Sequence, residues 1–504
     1  MMRRALIIIV ILLLLLAGGV YYAATRVLAS NYARTTFEQQ LTARLGRPVR
    51  IGALRAAIYP RVAVDLEQVT IGAPAAVTLA HVRLVTGLRA LLSRTISDGE
   101  LIVRDSRLTL PLPVSLLPAN SGTSAAPAGP GLSVESIRVI SFDNVELVAP
   151  AHAMRIDLRA SLAGDRLIID RVALGGRSSK IDGTGTLTSM ARVEGSIEAN
   201  ADPLDLDELM AIASAFTSTA DDAPRKTGSA TPMRLMVALT ATQGQFATYT
   251  FSDLSTTIQL ATGSVSLAPL AMRAFGGQFK GRLEVDTRAS VPQLRLSGRV
   301  DNLDVAPLMK ANGNTGGITG SLGGTLALTA SGSDAATVLQ TAHGTIAAAI
   351  TNGTLEHLDL VRTVVLAFGK PSGVPPEGSG SAFTRLGGTF ALTNRTVTSH
   401  DLTLASRDFD VNGQSKLTLS TGALEARGDV ALSPELTAQS GTDLRRYAQE
   451  DGRVIVPAIV NGTLGHPRMS VDIEAATTRA LRNEMQRRAK TLLEGLFKKK
   501  GKSQ

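Results

Sequence analysis

Residues 62–67 read Val62-Ala63-Val64-Asp65-Leu66-Glu67. A large apolar side chain falls on every second position, with a small or acidic residue between. Successive side chains of a strand point to opposite faces, so this pattern gives one apolar face and one wet face. The alternation returns at Met154, Ile156 and Leu158, separated by Arg155 and Asp157, and at Val82-Leu84, Leu235-Val237-Leu239, Leu294-Leu296, Leu326-Leu328, Leu402-Leu404, Leu417-Leu419 and Val430-Leu432. Gly, Asn, Asp or Ser bounds each segment, as for a half-buried strand. Continuous apolar runs, the mark of parallel strands covered on both faces, are scarce. The pattern predicts antiparallel β.

Helices are few. Thr35–Leu45 carries Phe37, Leu41 and Leu45 at helical spacing and stops at Gly46. Asp207–Phe216, Pro307–Ala311 and His357–Phe368 are further candidates. Stretches rich in Pro, Gly, Ser and Ala at Pro118–Gly131, Thr217–Pro232 and Lys370–Ser381 read as insertions or module borders. Two echoes suggest repetition. Gly323-Gly324-Thr325-Leu326-Ala327-Leu328-Thr329 returns as Gly387-Gly388-Thr389-Phe390-Ala391-Leu392-Thr393, and Leu204-Asp205-Leu206 resembles Leu303-Asp304-Val305. At about 13–17 residues per strand and turn, the chain holds roughly 25–35 strands, more than the ~10 that an open sheet usually carries. Separate sandwiches, a barrel or a long curled trough would each cover the apolar faces.

The run Ala5 to Ala24 carries no charge. As a helix it spans roughly the 30 Å core of a bilayer. Arg3 and Arg4 precede it, and Tyr21 and Tyr22 sit where an interfacial aromatic belt would lie. A cleaved secretory signal is the competing reading, with Ala17-Gly18-Gly19 as small residues for cleavage, but the uncharged stretch exceeds the usual h-region. Both readings export the body, and the longer run favours an uncleaved anchor.

Composition narrows the chemistry. The 504 residues include no Cys and no Trp, and aromatics make up 4%. Disulfides and thiol nucleophiles are excluded, and the apolar mass is aliphatic. The formal charge is +9, yet nine basic and two acidic residues between Ala475 and Gln504 place +7 of it in the last thirty positions. A nucleic-acid domain spreads its basic residues over a folded face, so no nucleic-acid partner is expected. Leu481, Met485, Leu492, Leu493, Leu496 and Phe497 fall opposite Arg482, Arg487, Arg488, Lys490, Lys498, Lys499 and Lys500 at near-helical spacing. Such a helix lies on an anionic lipid surface or docks into a partner, the alternative being a solvated end.

Nothing points to catalysis, a metal or a cofactor. The six His are scattered without metal-site spacing. Gly175-Gly176-Arg177-Ser178-Ser179-Lys180 does not supply a phosphate-binding loop, and Gly378-Ser379-Gly380 lacks the strand-to-helix context of a nucleophile elbow. The protein is not expected to be an enzyme.

Near the start stand Leu45-Gly46-Arg47-Pro48-Val49-Arg50-Ile51-Gly52, then Tyr59-Pro60 and Val69-Thr70-Ile71-Gly72, continued through Leu91-Leu92-Ser93-Arg94-Thr95-Ile96. Toward the end stand Gly344-Thr345-Ile346, Asn352-Gly353-Thr354-Leu355, Phe383-Thr384-Arg385-Leu386-Gly387-Gly388, Val454-Ile455-Val456-Pro457 and Asn461-Gly462-Thr463-Leu464. The first set resembles the opening, and the second the C-terminal module, of the AsmA family of Gram-negative envelope proteins. The middle, about 120–330, is similar only in general character. The resemblance implies one inner-membrane anchor and a periplasmic body, related to TamB-type lipid bridges with a β-taco or chorein-like trough. The expected fold is therefore mainly β: one N-terminal transmembrane helix, then a long curled antiparallel β trough with a few short helices. Its expected parts are the anchor at 1–30, an N-terminal β region at 31–200, a middle region at 201–340, a C-terminal module at 341–475 and the basic tail at 476–504.

The function so implied is conduction of phospholipid between inner and outer membrane in support of outer-membrane biogenesis, with a non-conducting scaffold for outer-membrane protein assembly as the alternative. The partners would be membrane phospholipids, the inner membrane through residues 5–24, and the outer membrane or an envelope protein through the tail. The groove would be lined by Val62, Val64, Leu66, Val82, Leu84, Met154, Ile156, Leu158, Leu235, Val237, Leu239, Leu417 and Leu419. A charge at such a position is expected to block lipid while the protein still folds.

Overall fold

The structure is a computed structural model and describes residues 34–500 apart from 111–132, 218–232, 363–379 and shorter stretches. The run Ala5–Ala24 lies outside the described residues. Among these, no helix is long and apolar enough to cross a membrane. The chain is mainly β and divides into two units, one ending at Ala268 and one starting at Pro269.

The first unit contains β1 (Val49–Ala57), β2 (Val62–Ile71), β3 (Val77–Thr86), β4 (Thr95–Ile96), β5 (Gly99–Thr109), β6 (Ser133–Val134), β7 (Ser136–Val148), β8 (Ala153–Ala163), β9 (Arg166–Gly175), β10 (Lys180–Ser189), β11 (Glu194–Ala201), β12 (Leu204–Asp205), α1 (Leu206–Thr217), β13 (Arg234–Phe246) and β14 (Tyr249–Ala261). Strands β1, β2, β3 and β5 pair antiparallel in that order, as do β7 through β11 and then β13 with β14. The joins β5–β7 and β11–β13 are parallel, as are the short pairs β4–β6 and β12–β13. This corrects the expectation of a purely antiparallel sheet. Parallel neighbours need a crossover of a dozen residues or more, and the insertions at Pro118–Gly131 and Thr217–Pro232 fall in those two connections.

One face of this unit is its core. Val64, Leu84, Leu101, Ile140, Ala160 and Ile169 lie directly opposite one another across β2, β3, β5, β7, β8 and β9, and all six are buried. A row of partners across adjacent strands is the unit in which a sheet gains side-chain packing.

After β15 (Ser264–Ala274), which contains the division point, the second unit comprises β16 (Gly277–Asp286), β17 (Gln293–Asp304), α2 (Val305–Ala311), β18 (Ser321–Ser331), α3 (Ala335–Thr341), β19 (His343–Leu355), β20 (Ser381–Thr393), β21 (Thr396–Ala405), β22 (Phe409–Thr418), β23 (Ala423–Leu432), α4 (Pro434–Gln439), α5 (Thr442–Ala448), β24 (Gln449–Glu450), β25 (Arg453–Thr463), β26 (His466–Val471) and α6 (Ile473–Lys500). From β16 to β23, then β25 and β26, every neighbour is antiparallel. Each unit's ladder is open and uncurled, and among the described residues its end strands do not pair with each other. The expected curl is thus corrected. The ends are protected by other means: Thr42 and Glu38 accept the outward N–H groups of Val49 and Ile51 on β1, while β26 is short and carries Pro467.

Both sequence echoes have a structural meaning. The two Gly-Gly-Thr segments flank β19 in identical register, with Gly324 and Gly388 both opposite Ala348 and Leu326 and Phe390 both opposite Ile346. The two Leu-Asp pairs each end a strand and start a helix. Asp205 Oδ1 accepts N–H bonds from Asp207 and Glu208 at the start of α1, and Asp304 Oδ1 accepts one from Ala306 at the start of α2. Of the expected helices, 207–216 is α1 and 307–311 is the end of α2. Residues 34–35, 38–39 and 41–43 are helical, and most of 357–368 lies outside the described residues.

Several carboxylates ionise more readily folded than unfolded. At Asp205 burial pushes the carboxyl up, but hydrogen bonds from the Gln245 amide and the N–H groups of Glu208 and Asp207 outweigh it and hold it below its ordinary value. The Arg288 side chain and N–H hold Asp286 down at about 2. The N–H of Thr389 lowers Asp401. A depressed folded pKa gives stability that is complete above the unfolded value of ~3.9 and is lost as pH falls through the folded value. Thermal melts followed by circular dichroism should therefore give a constant Tm above about pH 5. Tm should then drop steadily from about pH 4 toward 2, the value for Asp286.

Candidate functional site: an apolar groove on the second unit

Alternation along β18–β23 sends large aliphatic residues to one face, and the register lines them up. Leu322, Ile350, Leu386, Leu404, Val411 and Val430 stand opposite one another across six consecutive strands. Two residues along each strand, the same face carries a row of small residues. Ala348 faces Gly388, and Gly413 faces Gly428, which faces Ala458. Leu402, opposite Gly413, is the one large residue among the paired positions of this row. Beyond it lie Phe390, Ser399, Ser415, Ala426 and Val460. Large walls beside a small floor leave a cavity of about 400 Å³. Val305, Met309 and Ile318, from α2 and the segment after it, also line it.

Among the described residues the lining is almost wholly hydrocarbon, with Ser415 and Arg427 its only polar side chains. Leu404 and Val430 of the wall are buried together with Phe409, Leu432, Val454 and Val456 in a core packed against Leu436 of α4 and Leu444 of α5. The groove residues Ile350, Leu386, Leu402, Val411 and Leu417 keep partial exposure. An apolar surface that remains wet and concave, beside a core that holds it in place, is suited to an apolar ligand.

Of the thirteen residues expected to line a groove, eight come together in the core of the first unit and one lines the groove described above. Val62, Val64, Leu66, Val82, Leu84 and Leu235 belong to the buried core of the first unit, with Leu158 and Val237 packed against it. Met154 is buried with Ile212 of α1, and Ile156 and Leu239 are half-buried on their own strands. Leu417 lines the groove. Leu419 is 51% exposed beyond the end of β22. Alternation named the apolar faces; it carried no sign of which face is covered. The usable signal was glycine at an inward position of an alternating strand, as at Gly413 and Gly428.

A larger recess, about 790 Å³, opens on the first unit among Arg107, Asp105, Glu146, His152, Arg155 and Arg177. Its arginines are largely engaged, Arg107 with Glu146 at 2.7 Å and Arg155 with Asp157 at 3.7 Å. It reads as a polar surface held by ion pairs.

The expected basic tail is the helix α6. Arg479, counted with the tail charges, is a clamp: it is 13% exposed and pairs with Asp429 at 2.7 Å and Glu450 at 3.3 Å. Arg487 and Arg488 both reach Glu484, as does Arg446 of α5. Arg482, Lys490, Leu481 and Met485 are exposed. The side chains of Lys498, Lys499 and Lys500 lie outside the described residues.

A family model described as the AsmA family covers residues 133–407. It includes the middle of the chain and, of the eight groove-lining strands, the four from β18 to β21. No curated protein and no solved structure matches the chain.

Proposed function

Because the chain belongs to the AsmA family, we propose that the second-unit groove holds an acyl chain of a phospholipid. The protein would thereby handle lipid between the two membranes of a Gram-negative envelope, tethered to the inner membrane by residues 5–24 with its body in the periplasm. The observation that carries this reading is the aliphatic row from Leu322 to Val430, unbroken over six strands, of which Leu322, Ile350, Leu386 and Val411 keep partial exposure. Five inter-strand steps of ~4.8 Å make it about 24 Å long, beyond the ~15 Å that one leaflet's acyl chains occupy.

The physics supports such a role without a reactive group. Carrying a chain of about sixteen carbons into water costs roughly 12 kcal/mol at ~0.8 per CH₂. For two chains the cost is roughly 24 kcal/mol, and spontaneous escape from a membrane falls to the order of 10⁻⁵ per second. A groove walled by Leu, Val and Ile lowers that barrier by replacing water with hydrocarbon. Mass spectrometry of the full chain extracted from membranes is expected to find phospholipid at near-stoichiometric amounts. A protein recovered lipid-free would favour the scaffold reading instead.

A further inference from the structure

We infer that the free part of α6, from Leu481 onward, lies along the surface of an anionic phospholipid bilayer. The contact is separate from the groove and needs nothing from it. The first turns of α6 are fastened to the second unit. Arg479 pairs with Asp429 of β23 and Glu450 of β24, and the Asn483 side-chain amide donates to the Tyr447 carbonyl of α5. Ala475, Ala476, Arg479, Ala480, Asn483 and Glu484 are half-buried in step with the helical repeat. Every residue from Met485 to Thr491 is exposed. The helix therefore leaves its unit at Glu484.

The fastened turns set which way the free part faces. At about 3.6 residues per turn, Arg479 and Asn483 straddle the direction about 180° from Leu481, and Met485 stands about 40° from Leu481. Leu481 is 62% and Met485 65% exposed, so two large apolar side chains are turned away from the body. Earlier on the same face stand Glu474, Thr477 and Thr478, all exposed. The stripe becomes apolar only where the helix comes free. In sequence, Leu492 and Leu496 follow Met485 by seven and eleven residues, the spacing that continues one helical face.

The charge around the stripe selects the partner. Arg488 and Arg482 stand on its two sides, and Arg487 and Lys490 add two further exposed cations. Between Leu481 and Thr491 the one acid is Glu484, which Arg446, Arg487 and Arg488 already neutralise. A narrow apolar stripe flanked by cations matches a layer of phosphate over hydrocarbon. The apolar side chains enter the acyl boundary, and the long basic ones reach back to the headgroups. The helix is not apolar enough to cross the bilayer. It lies along the surface instead, for about 30 Å from Leu481 to Lys500 at ~1.5 Å per residue.

The chain has no cysteine, so Met485→Cys supplies a single thiol for an environment-sensitive fluorophore on the full chain held in amphipol. Phosphatidylglycerol vesicles at low salt should shift its emission to the blue, and phosphatidylcholine vesicles should not. The same dye at Gln486→Cys, turned about 100° toward the fastened side, should stay in water. In the labelled Met485→Cys chain, Arg482→Gln should weaken partitioning about fivefold, the equivalent of ~1 kcal/mol. Leu481→Ser should weaken it about tenfold or more. Both residues are exposed, so Tm should not move in either variant. No shift at Met485, an equal shift with neutral vesicles, or an equal shift at Gln486 would overturn the surface-bound helix. A dye at Met485 that ignores vesicles but is shielded by envelope protein would give this face to a protein partner, and overturn it equally.

Discussion

Replacing Leu84 by aspartate is expected to unfold the first unit. Leu84 is 1% exposed on β3, with Val64 opposite it on β2 and Leu101 opposite it on β5. Losing the side chain alone costs about 2–5 kcal/mol, as for other buried Leu truncations. The carboxylate adds several kcal/mol more, whether it is buried charged or held protonated against its solution preference. Together these rival the ~5–15 kcal/mol that holds a domain. The expected result is loss of the strand signal from residues 49–261 and rapid proteolysis there. A variant with native protease resistance would show that this face is wet. From sequence alone a charge here was expected to be tolerated; the burial of Leu84 reverses that.

Ser415→Asp is expected to do the opposite: leave the fold and remove the ligand. Ser415 is half-buried on β22, opposite Ser399 and Ala426, and lines the groove. Its partial exposure lets a carboxylate keep contact with water, so the stability cost should stay within about 1 kcal/mol. An acyl chain in the groove would have to strip that water away, a desolvation of several kcal/mol. Lipid recovered with the protein should fall by about a hundredfold or more, since each 1.4 kcal/mol is a factor of ten. Unchanged Tm with unchanged lipid would remove Ser415 from any binding surface.

Much of the fold was legible because alternation is a direct consequence of strand geometry. Val62, Val64 and Leu66 are all buried, while Asp65 and Glu67 point outward to pair with Arg83 and Arg55. The same logic could not locate the groove. Leu84 and Leu417 look alike in sequence, yet one is sealed and the other lines a cavity. The parallel joins were missed for a related reason. Their signal lay in connection length, at Pro118–Gly131 and Thr217–Pro232, not in the strands themselves. Arg479 shows the limit of counting charge. Its partner Asp429 stands fifty residues earlier, so a residue that read as part of a basic tail is what fastens α6 to its unit.

On the reading proposed above, the face bearing Ser415 meets acyl chains. Alternation puts Gln414 on the opposite, exposed face of β22. A photo-crosslinking residue placed at Ser415 or, separately, at Gln414 in the full chain and irradiated in living cells compares the two faces of one strand. Phospholipid adducts are expected at Ser415 and none above background at Gln414. Equal labelling at the two positions, or none at Ser415, would contradict it.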